Sequence, residues 1–252
     1  MTPTPTPSDA PRLFALVPCG GNGSRAGAGA PKQYRPVAGL PVLGHTLHAL
    51  ARVARLTTVL VVVAADDPTG PDTAQAAWPE HLGDAPGPQL AVAPCAGPTR
   101  AHTVFHGLAH LLAQGAQPHD WVLVHDAARC LVTPAQVNAL IDACIGDAVG
   151  GLLALPLPDT LKSATPDGRV AATVPRADKW LAQTPQMFRL GALQRALALA
   201  EASGFADITD EASAMEALGL APKLVPGSAE NFKLTYPPDF ALAQAILKGR
   251  TA

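Results

Sequence analysis

The residues between Pro18 and Tyr34 combine glycines and cations in a pattern suited to binding a polyanion. The segment reads PCGGNGSRAGAGAPKQY and follows an apolar run at 13–17. Glycines let the backbone turn freely and let peptide N–H groups approach a ligand closely. Arg25 and Lys32 add positive charge to the same loop. A buried strand followed by a cationic glycine loop indicates a nucleoside triphosphate held for reaction.

The loop differs from two common phosphate-binding motifs. Residues 21–26 partly resemble a dinucleotide fingerprint, but that motif needs a helix beginning at the loop. Pro31, Pro36 and Pro41 interrupt any such helix, and no Gly-Lys-Ser/Thr triplet is present. Arg25, Lys32 and the loop amides must therefore neutralise the phosphates. The alternative is a flexible glycine linker with incidental charges.

A second motif, VHDAAR at 124–129, ends another apolar run. Asp126 would lie at the carboxyl end of a strand, where an acid beside a triphosphate helps to bind Mg²⁺. The alternative is that Asp126 caps a turn and pairs with Arg129. We interpret His125 as a structural histidine.

Two further motifs carry a hydroxyl and a lysine. In GPTRAHT, at 97–103, loop amides and the hydroxyl of Thr103 can read base edges, while Thr99 is suited to cap a helix. The motif NFKLT, at 231–235, predicts a short strand near 231–234 that contains Lys233. A buried lysine needs an anionic partner, although an edge-strand lysine is the alternative.

Composition limits the classes of function. The net charge is −2 with 15% charged residues, so no global basic field attracts nucleic acid. No apolar run approaches the roughly 20 residues of a membrane span. Four cysteines without zinc or disulfide spacing predict free thiols in the cytoplasm. Residues 1–11, rich in Pro and Thr, predict a disordered tail and no secretory signal.

Apolar runs alternate with helical patterns and predict an α/β fold, a mostly parallel sheet with helices on both faces. The predicted strands are 13–17, 58–64, 90–93, 121–124, 151–155 and 223–225. The predicted helices are 43–55, 99–114, 134–146, 190–203, 211–218 and 238–248, with Asp210 or Thr209 as the cap of the fifth. Ligands of such sheets bind outside the carboxyl ends of the strands. Residues 12–249 are expected to form one domain.

The alternation breaks at about 156–176, where Pro166-Asp167-Gly168 signals a turn. This segment predicts a projecting β-hairpin arm, and because isolated hairpins are marginal in water, the arm is expected to contact a second copy of the chain. Arg176 there could bind a phosphate or simply be solvated.

Taken together and in order, the motifs of this chain resemble those of the 2-C-methyl-D-erythritol 4-phosphate cytidylyltransferases of isoprenoid synthesis. The motifs are the GxGxR…PKQY loop, VHDAAR, Asp159-Thr160, Thr184-Pro185-Gln186, TDEAS at 209–213 and NFKLT. The resemblance covers about 13–247. It implies a Rossmann-like nucleotidyltransferase core with a dimerising arm. It also implies transfer of CMP from CTP to the polyol phosphate, with Mg²⁺ and release of pyrophosphate.

The resemblance assigns roles to particular residues. Arg25, Lys32 and Lys233 match the phosphate-binding cations, taken as catalytic. Positions matching the CTP site are Pro18, Cys19, Gly20, Gly21, Gly23, Gly97, Arg100 and Thr103. Positions matching the acceptor site are Asp126, Arg129, Thr160, Arg176, Thr184 and Thr209, some of which would come from the partner's arm, and Asp126 would also hold the metal.

The chain departs from the family pattern at Cys19-Gly20, Pro98 and Cys130. Three other functions stay open from the sequence. They are transfer of CMP to ribitol 5-phosphate or a similar polyol phosphate, a dinucleotide-dependent oxidoreductase, and a nucleotide-binding module without catalysis.

Overall fold

The computed structural model describes residues 10–21, 31–79 and 87–250. The strands are β1 (Leu13–Pro18), β2 (Pro36–Val37), β3 (Leu40–Pro41), β4 (Thr58–Val62), β5 (Gln89–Ala93), β6 (Trp121–Val124), β7 (Gly150–Pro156), β8 (Leu161–Ala164), β9 (Val170–Val174), β10 (Trp180–Arg189) and β11 (Lys223–Pro226). The helices are α1 (Val42–Ala51), α2 (Gly70–Ala76), α3 (Arg100–Ala113), α4 (Pro134–Cys144), α5 (Leu190–Glu201), α6 (Glu211–Ala217) and α7 (Pro237–Arg250). A 3₁₀ turn spans Lys32–Tyr34.

Seven strands form the central sheet in the order β11-β7-β10-β6-β1-β4-β5. β10 alone runs antiparallel, against both β6 and β7, and the other paired neighbours are parallel. The predicted α/β class with a mostly parallel sheet is therefore confirmed.

Alternation along β1 shows why both sheet faces are covered. Ala15 and Val17 join a core cluster with side chains of α1 and α4, whereas Phe14 and Leu16 join another with α3, α5 and α6. Successive side chains of a strand point to opposite faces, so a strand with apolar residues throughout needs helices on each side.

Two strand predictions differ from the structure. The segment 231–235 is an irregular loop rather than a strand, and the amide of Leu234 donates to Ala128 O over 2.9 Å. β10 was not predicted, because Pro185 lies within it and proline removes a ladder donor. The sheet accommodates that proline where the β10–β7 register shifts between Ala182 and Gln186.

The arm segment contains a hairpin. β8 and β9 pair with each other in a separate two-stranded sheet, and nearly all their residues are exposed. The proposed disordered tail at 1–11 lies outside the described residues except for its last two positions. Among the described residues, no helix combines the length and apolarity needed to cross a membrane.

Candidate active site

A cavity of about 270 Å³ opens where the loops after β1, β5 and β6 meet. It is lined by Pro18, Cys19, Gly20, Gly21, Lys32, Gln33, Gly97, Pro98, Thr99, Arg100, Thr103, Asp126, Ala127, Ala128 and Lys233. These loops gather because parallel strands deliver their carboxyl ends to one edge of the sheet.

The carboxylate of Asp126 organises the cations of the cavity. Its Oδ1 accepts a hydrogen bond from Arg100 Nε at 2.7 Å. Its Oδ2 lies 3.0 Å from Lys233 Nζ and 3.5 Å from Arg129 Nε. Asp126 is only 6% exposed, so this buried charge depends on its partners. Burial disfavours the carboxylate, but the charges of Arg100, Lys233 and Arg129 hold its pKa well below the ordinary range.

A second buried acid, Glu211, fixes the other end of Arg100. Its two oxygens accept hydrogen bonds from Nη1 and Nη2 of Arg100 at 2.7 and 3.0 Å. Glu211 begins α6, whose N-cap Asp210 accepts from the Ser213 amide at 2.9 Å. Burial opposes the charged guanidinium, but the two acids raise the pKa of Arg100, which stays protonated at any physiological pH. Arg100 therefore bridges two carboxylates.

Lys32 is in direct contact with the loop that carries Lys233. Lys32 Nζ donates to the carbonyl of Leu234 over 2.9 Å, although the two residues are 202 positions apart. The residue before Leu234 is Lys233, so the fold brings both predicted lysines to one wall.

Hydrogen bonds beneath Asp126 hold its backbone. The Asp126 amide donates to Thr184 Oγ1 at 3.0 Å, and that hydroxyl lies 3.1 Å from His125 Nδ1. His125 Nε2 lies 3.2 Å from the carbonyl of Arg129. Because the carbonyl can only accept, Nε2 carries the proton and Nδ1 accepts from Thr184. Burial lowers the pKa of His125 to about 4, so the ring is neutral.

The loop before α3 is closed by Thr103. Its hydroxyl donates to Thr99 O at 2.9 Å and accepts from the Gly97 amide at 3.1 Å. Thr99 caps α3, accepting from the His102 amide at 3.3 Å, as its sequence position indicated. Thr103 lines the cavity, and its hydroxyl shapes this loop.

Most of the residues predicted for the site lie together, and the rest divide into three groups. Arg129 and Thr184 contact Asp126 from outside the cavity lining. Thr160, Arg176 and Thr209 are not in the lining. Thr209 borders a smaller pocket that Arg100 also lines. Arg176 donates a hydrogen bond to the carbonyl of Pro158. Gly23 and Arg25 lie outside the described residues.

Sequence reasoning missed Gln33 and Glu211 as functional candidates. Both lie inside motifs already singled out, PKQY and TDEAS, so the signal was present. Their importance becomes visible only through partners distant in the chain, Cys19 for one and Arg100 for the other.

The residues of the cavity lining fit a metal ion that takes most of its ligands from substrate phosphates and water. Among the described residues, no group of three His, Cys, Asp or Glu side chains could hold a metal alone, and Asp126 is the one carboxylate in the described lining. Mg²⁺ commonly takes one or two carboxylates together with substrate phosphates and waters. Asp126 is the carboxylate that could hold such an ion, and its two oxygens, now paired with Arg100, Lys233 and Arg129, would have to give up part of that pairing to the metal.

A mostly parallel sheet with a cation-lined cavity at its carboxyl edge places the chain in the class of α/β nucleotidyltransferases. The family model for IspD, 2-C-methyl-D-erythritol 4-phosphate cytidylyltransferase, matches residues 13–249, and the chain belongs to this family.

Individual relatives agree with this membership. The chain is 58% identical over 248 residues to a bifunctional enzyme IspD/IspF of Albidiferax ferrireducens, covering 98% of this chain but only 56% of that relative. It is 53% identical to a 2-C-methyl-D-erythritol 4-phosphate cytidylyltransferase of Chromobacterium violaceum, covering 94% and 99% of the two chains. A solved 4-diphosphocytidyl-2C-methyl-D-erythritol synthase superposes with a TM-score of 0.80 at 39% identity, covering 94% and 99%.

Proposed function

We propose that this protein transfers CMP from CTP to 2-C-methyl-D-erythritol 4-phosphate, forming 4-diphosphocytidyl-2-C-methyl-D-erythritol and pyrophosphate. The observation that carries the proposal is the convergence of Lys32 and Lys233 on one cavity wall, beside a loop rich in glycine. Family membership supplies the identity of the two substrates.

The physical problem of the reaction is the approach of two anions. The acceptor phosphate attacks the α-phosphorus of CTP, a P–O bond forms, and the bond to the leaving pyrophosphate breaks. Catalysis of such steps depends on positioning and on stabilising the charge of the phosphoryl oxygens. No general base is required, because a phosphate monoester is already largely ionised near neutral pH.

The lysines are assigned to the reacting phosphate. Lys32 and Lys233 flank the α-phosphate and stabilise its five-coordinate state, and Arg25 binds the β- and γ-phosphates. Neither lysine has to be recruited from solvent, since Lys32 is bonded to Leu234 and Lys233 to Asp126. Groups held in place before reaction lose little free energy to reorganisation.

The base and the metal are assigned to different residues of the cavity lining. The loop from Gly97 to Thr103 recognises cytosine through backbone groups and the Thr103 hydroxyl. Asp126 would hold Mg²⁺, which supplies additional positive charge to the phosphates when bound. Arg129 supports Asp126 from behind, with Nη1 bonded to the carbonyl of Asn231 at 2.9 Å.

The acceptor site is proposed to include the arm of a second subunit. Thr160 and Arg176 are absent from the cavity lining of their own chain, which agrees with a contribution in trans. The hairpin exposes apolar side chains, with Val170 65% exposed, and such a hairpin gains stability by packing on a partner. A homodimer joined through 156–176 would satisfy both observations.

The proposed location is the cytoplasm. All four cysteines are free thiols, three of them buried, as expected in a reducing compartment. Burial raises the pKa of Cys19 to about 12, so this cavity thiol is protonated and does not act as a nucleophile.

Pyrophosphate release tests the proposal directly. The protein is incubated with CTP and Mg²⁺, in parallel with 2-C-methyl-D-erythritol 4-phosphate and with ribitol 5-phosphate. Release only with the methylerythritol phosphate is the expected result. Release only with ribitol 5-phosphate would support the same reaction with a different acceptor. No pyrophosphate release with either acceptor would refute the proposed cytidylyltransferase activity.

A further inference from the structure

Gln33 holds the entrance of the glycine loop through two hydrogen bonds from one amide group. Its Nε2 donates to the carbonyl of Cys19 at 3.0 Å and to the carbonyl of Gly21 at 2.9 Å. Two acceptors around one atom identify that atom as the nitrogen, because the amide oxygen cannot donate. The side chain is 5% exposed, so water cannot readily replace these bonds.

The neighbours of Gln33 tie the same short turn to two other segments. Lys32 bonds Leu234, and the Tyr34 hydroxyl donates to Asp67 Oδ2 over 2.6 Å. Consecutive side chains therefore connect the turn to the loop after β1, the loop near 234 and the loop after β4. Because three loops hold this 3₁₀ turn, it can support the backbone of the loop after β1 rigidly.

We propose that Gln33 is a positioning residue for the nucleotide, an inference that rests on the proposed function. In a trans peptide the C=O and N–H groups point in opposite directions. By binding the carbonyl of Cys19, Gln33 fixes the orientation of the Gly20 N–H, which belongs to the same peptide. The carbonyl oxygens of Cys19 and Gly21, which would repel phosphate, are both bound by Gln33, and the Gly20 N–H is left to face the anion.

Two substitutions distinguish this role from general support. Gln33→Met keeps an unbranched side chain of similar length but removes both donors. Gln33→Glu keeps the shape, but its ionised carboxylate would face two carbonyl oxygens. Facing two acceptors in a buried site raises a glutamate pKa, so at lower pH the protonated form can donate to one carbonyl again.

The measurement is the dissociation constant of CTP, obtained by calorimetric titration with Mg²⁺ and without acceptor. We expect both variants to bind CTP about tenfold more weakly than the wild type near pH 8. The deficit of Gln33→Glu relative to the wild type should shrink as the pH falls to about 6, whereas that of Gln33→Met should stay constant. Gln136→Glu, in the capping box of α4, adds the same charge away from the cavity and serves as control.

Each outcome decides one claim. Wild-type CTP affinity in Gln33→Met, or a Gln33→Glu deficit that does not change with pH, would overturn the inference while leaving the transferase intact. If Gln33→Glu does not fold, the affinity of Gln33→Met decides alone. Wild-type protein that fails to bind CTP would instead refute the proposed function.

Discussion

The ammonium of Lys233 lies 3.0 Å from Oδ2 of Asp126, and this ion pair joins an irregular loop to the end of a central strand. The lysine side chain is 35% exposed, whereas that of Asp126 is 7% exposed. The carboxylate is thus the fixed partner and the lysine the accessible one. A lysine whose ammonium is held by a buried acid is already positioned when a phosphate arrives.

Removing either lysine should reduce catalysis strongly. In Lys32→Ala and Lys233→Ala we expect kcat/KM for pyrophosphate release to fall by roughly 10²–10³, comparable to the loss of one oxyanion donor. Lys223→Ala is the control, because its ammonium pairs with Asp147 at the surface, and it should change the rate less than about twofold. Near wild-type turnover in both cavity variants would show that the assignment is wrong.

The buried His125 predicts a stability change with pH. Its folded pKa is about 4 and the unfolded value is about 6.5, so below pH 6.5 only the unfolded chain takes up the proton. The free energy of unfolding should therefore fall between about pH 6.5 and pH 4, by about 3 kcal/mol from this group.

Urea unfolding at several pH values checks this contribution. His125→Gln, which cannot titrate, should show a smaller loss of stability than the wild type over that range. Identical pH dependence in the wild type and His125→Gln would contradict the assignment.

Gly20 should tolerate no side chain unless its neighbour shrinks. A Cβ at this position would lie 2.3 Å from Cβ of Ala96, far inside the contact limit. Gly20→Ala should destabilise the fold by about 1–3 kcal/mol and weaken CTP binding by displacing the loop. The double variant Gly20→Ala, Ala96→Gly should recover most of both losses. Thermal unfolding and CTP titration of the two single variants and the double variant test this, and an unaffected Gly20→Ala would disprove the conflict.

A contribution of the arm in trans can be detected by mixing two inactive variants. Lys233→Ala damages the cavity and Arg176→Ala damages the arm, so a mixed dimer contains one site with both residues intact. After denaturation and joint refolding at equal amounts, about a quarter of all sites should be complete if assortment is random. Activity rising to that fraction supports the shared site, whereas mixtures no more active than the separate variants would place Arg176 in the site of its own chain or outside it.

Much of the candidate site followed from sequence because the motifs stand at strand ends. Strands 13–17, 121–124 and 90–93 were predicted within one or two residues, and the loops after them form the cavity. The rule that parallel strands present their carboxyl ends together was sufficient to gather Gly20, Gly97 and Asp126. It depends only on element order, which local hydrophobic patterns reveal.

Local sequence patterns gave wrong predictions where the structure departs from regular strand pairing. The run 231–235 has the composition of a strand, yet tertiary contacts hold it as a loop, with Asn231 Nδ2 donating to the carbonyl of Thr184 at 2.9 Å. β10 has a proline inside it and still lies in the interior of the sheet, between β7 and β6, because its register shift places Pro185 in the interval without continuous pairing. Propensity is a weak prior when burial and pairing partners act on the same segment.

The sequence by itself determined most of the order of strands and helices, the glycine loop and the kinds of charge near it, since these depend on neighbours in the chain. Only the tertiary structure decided which charges meet: that Asp126 binds Arg100 and Lys233, and that Lys32 reaches Leu234. Such contacts join residues far apart in sequence, and the order in which strands lie side by side sets their distances. Periodicity carries no record of that order, because it describes one segment at a time.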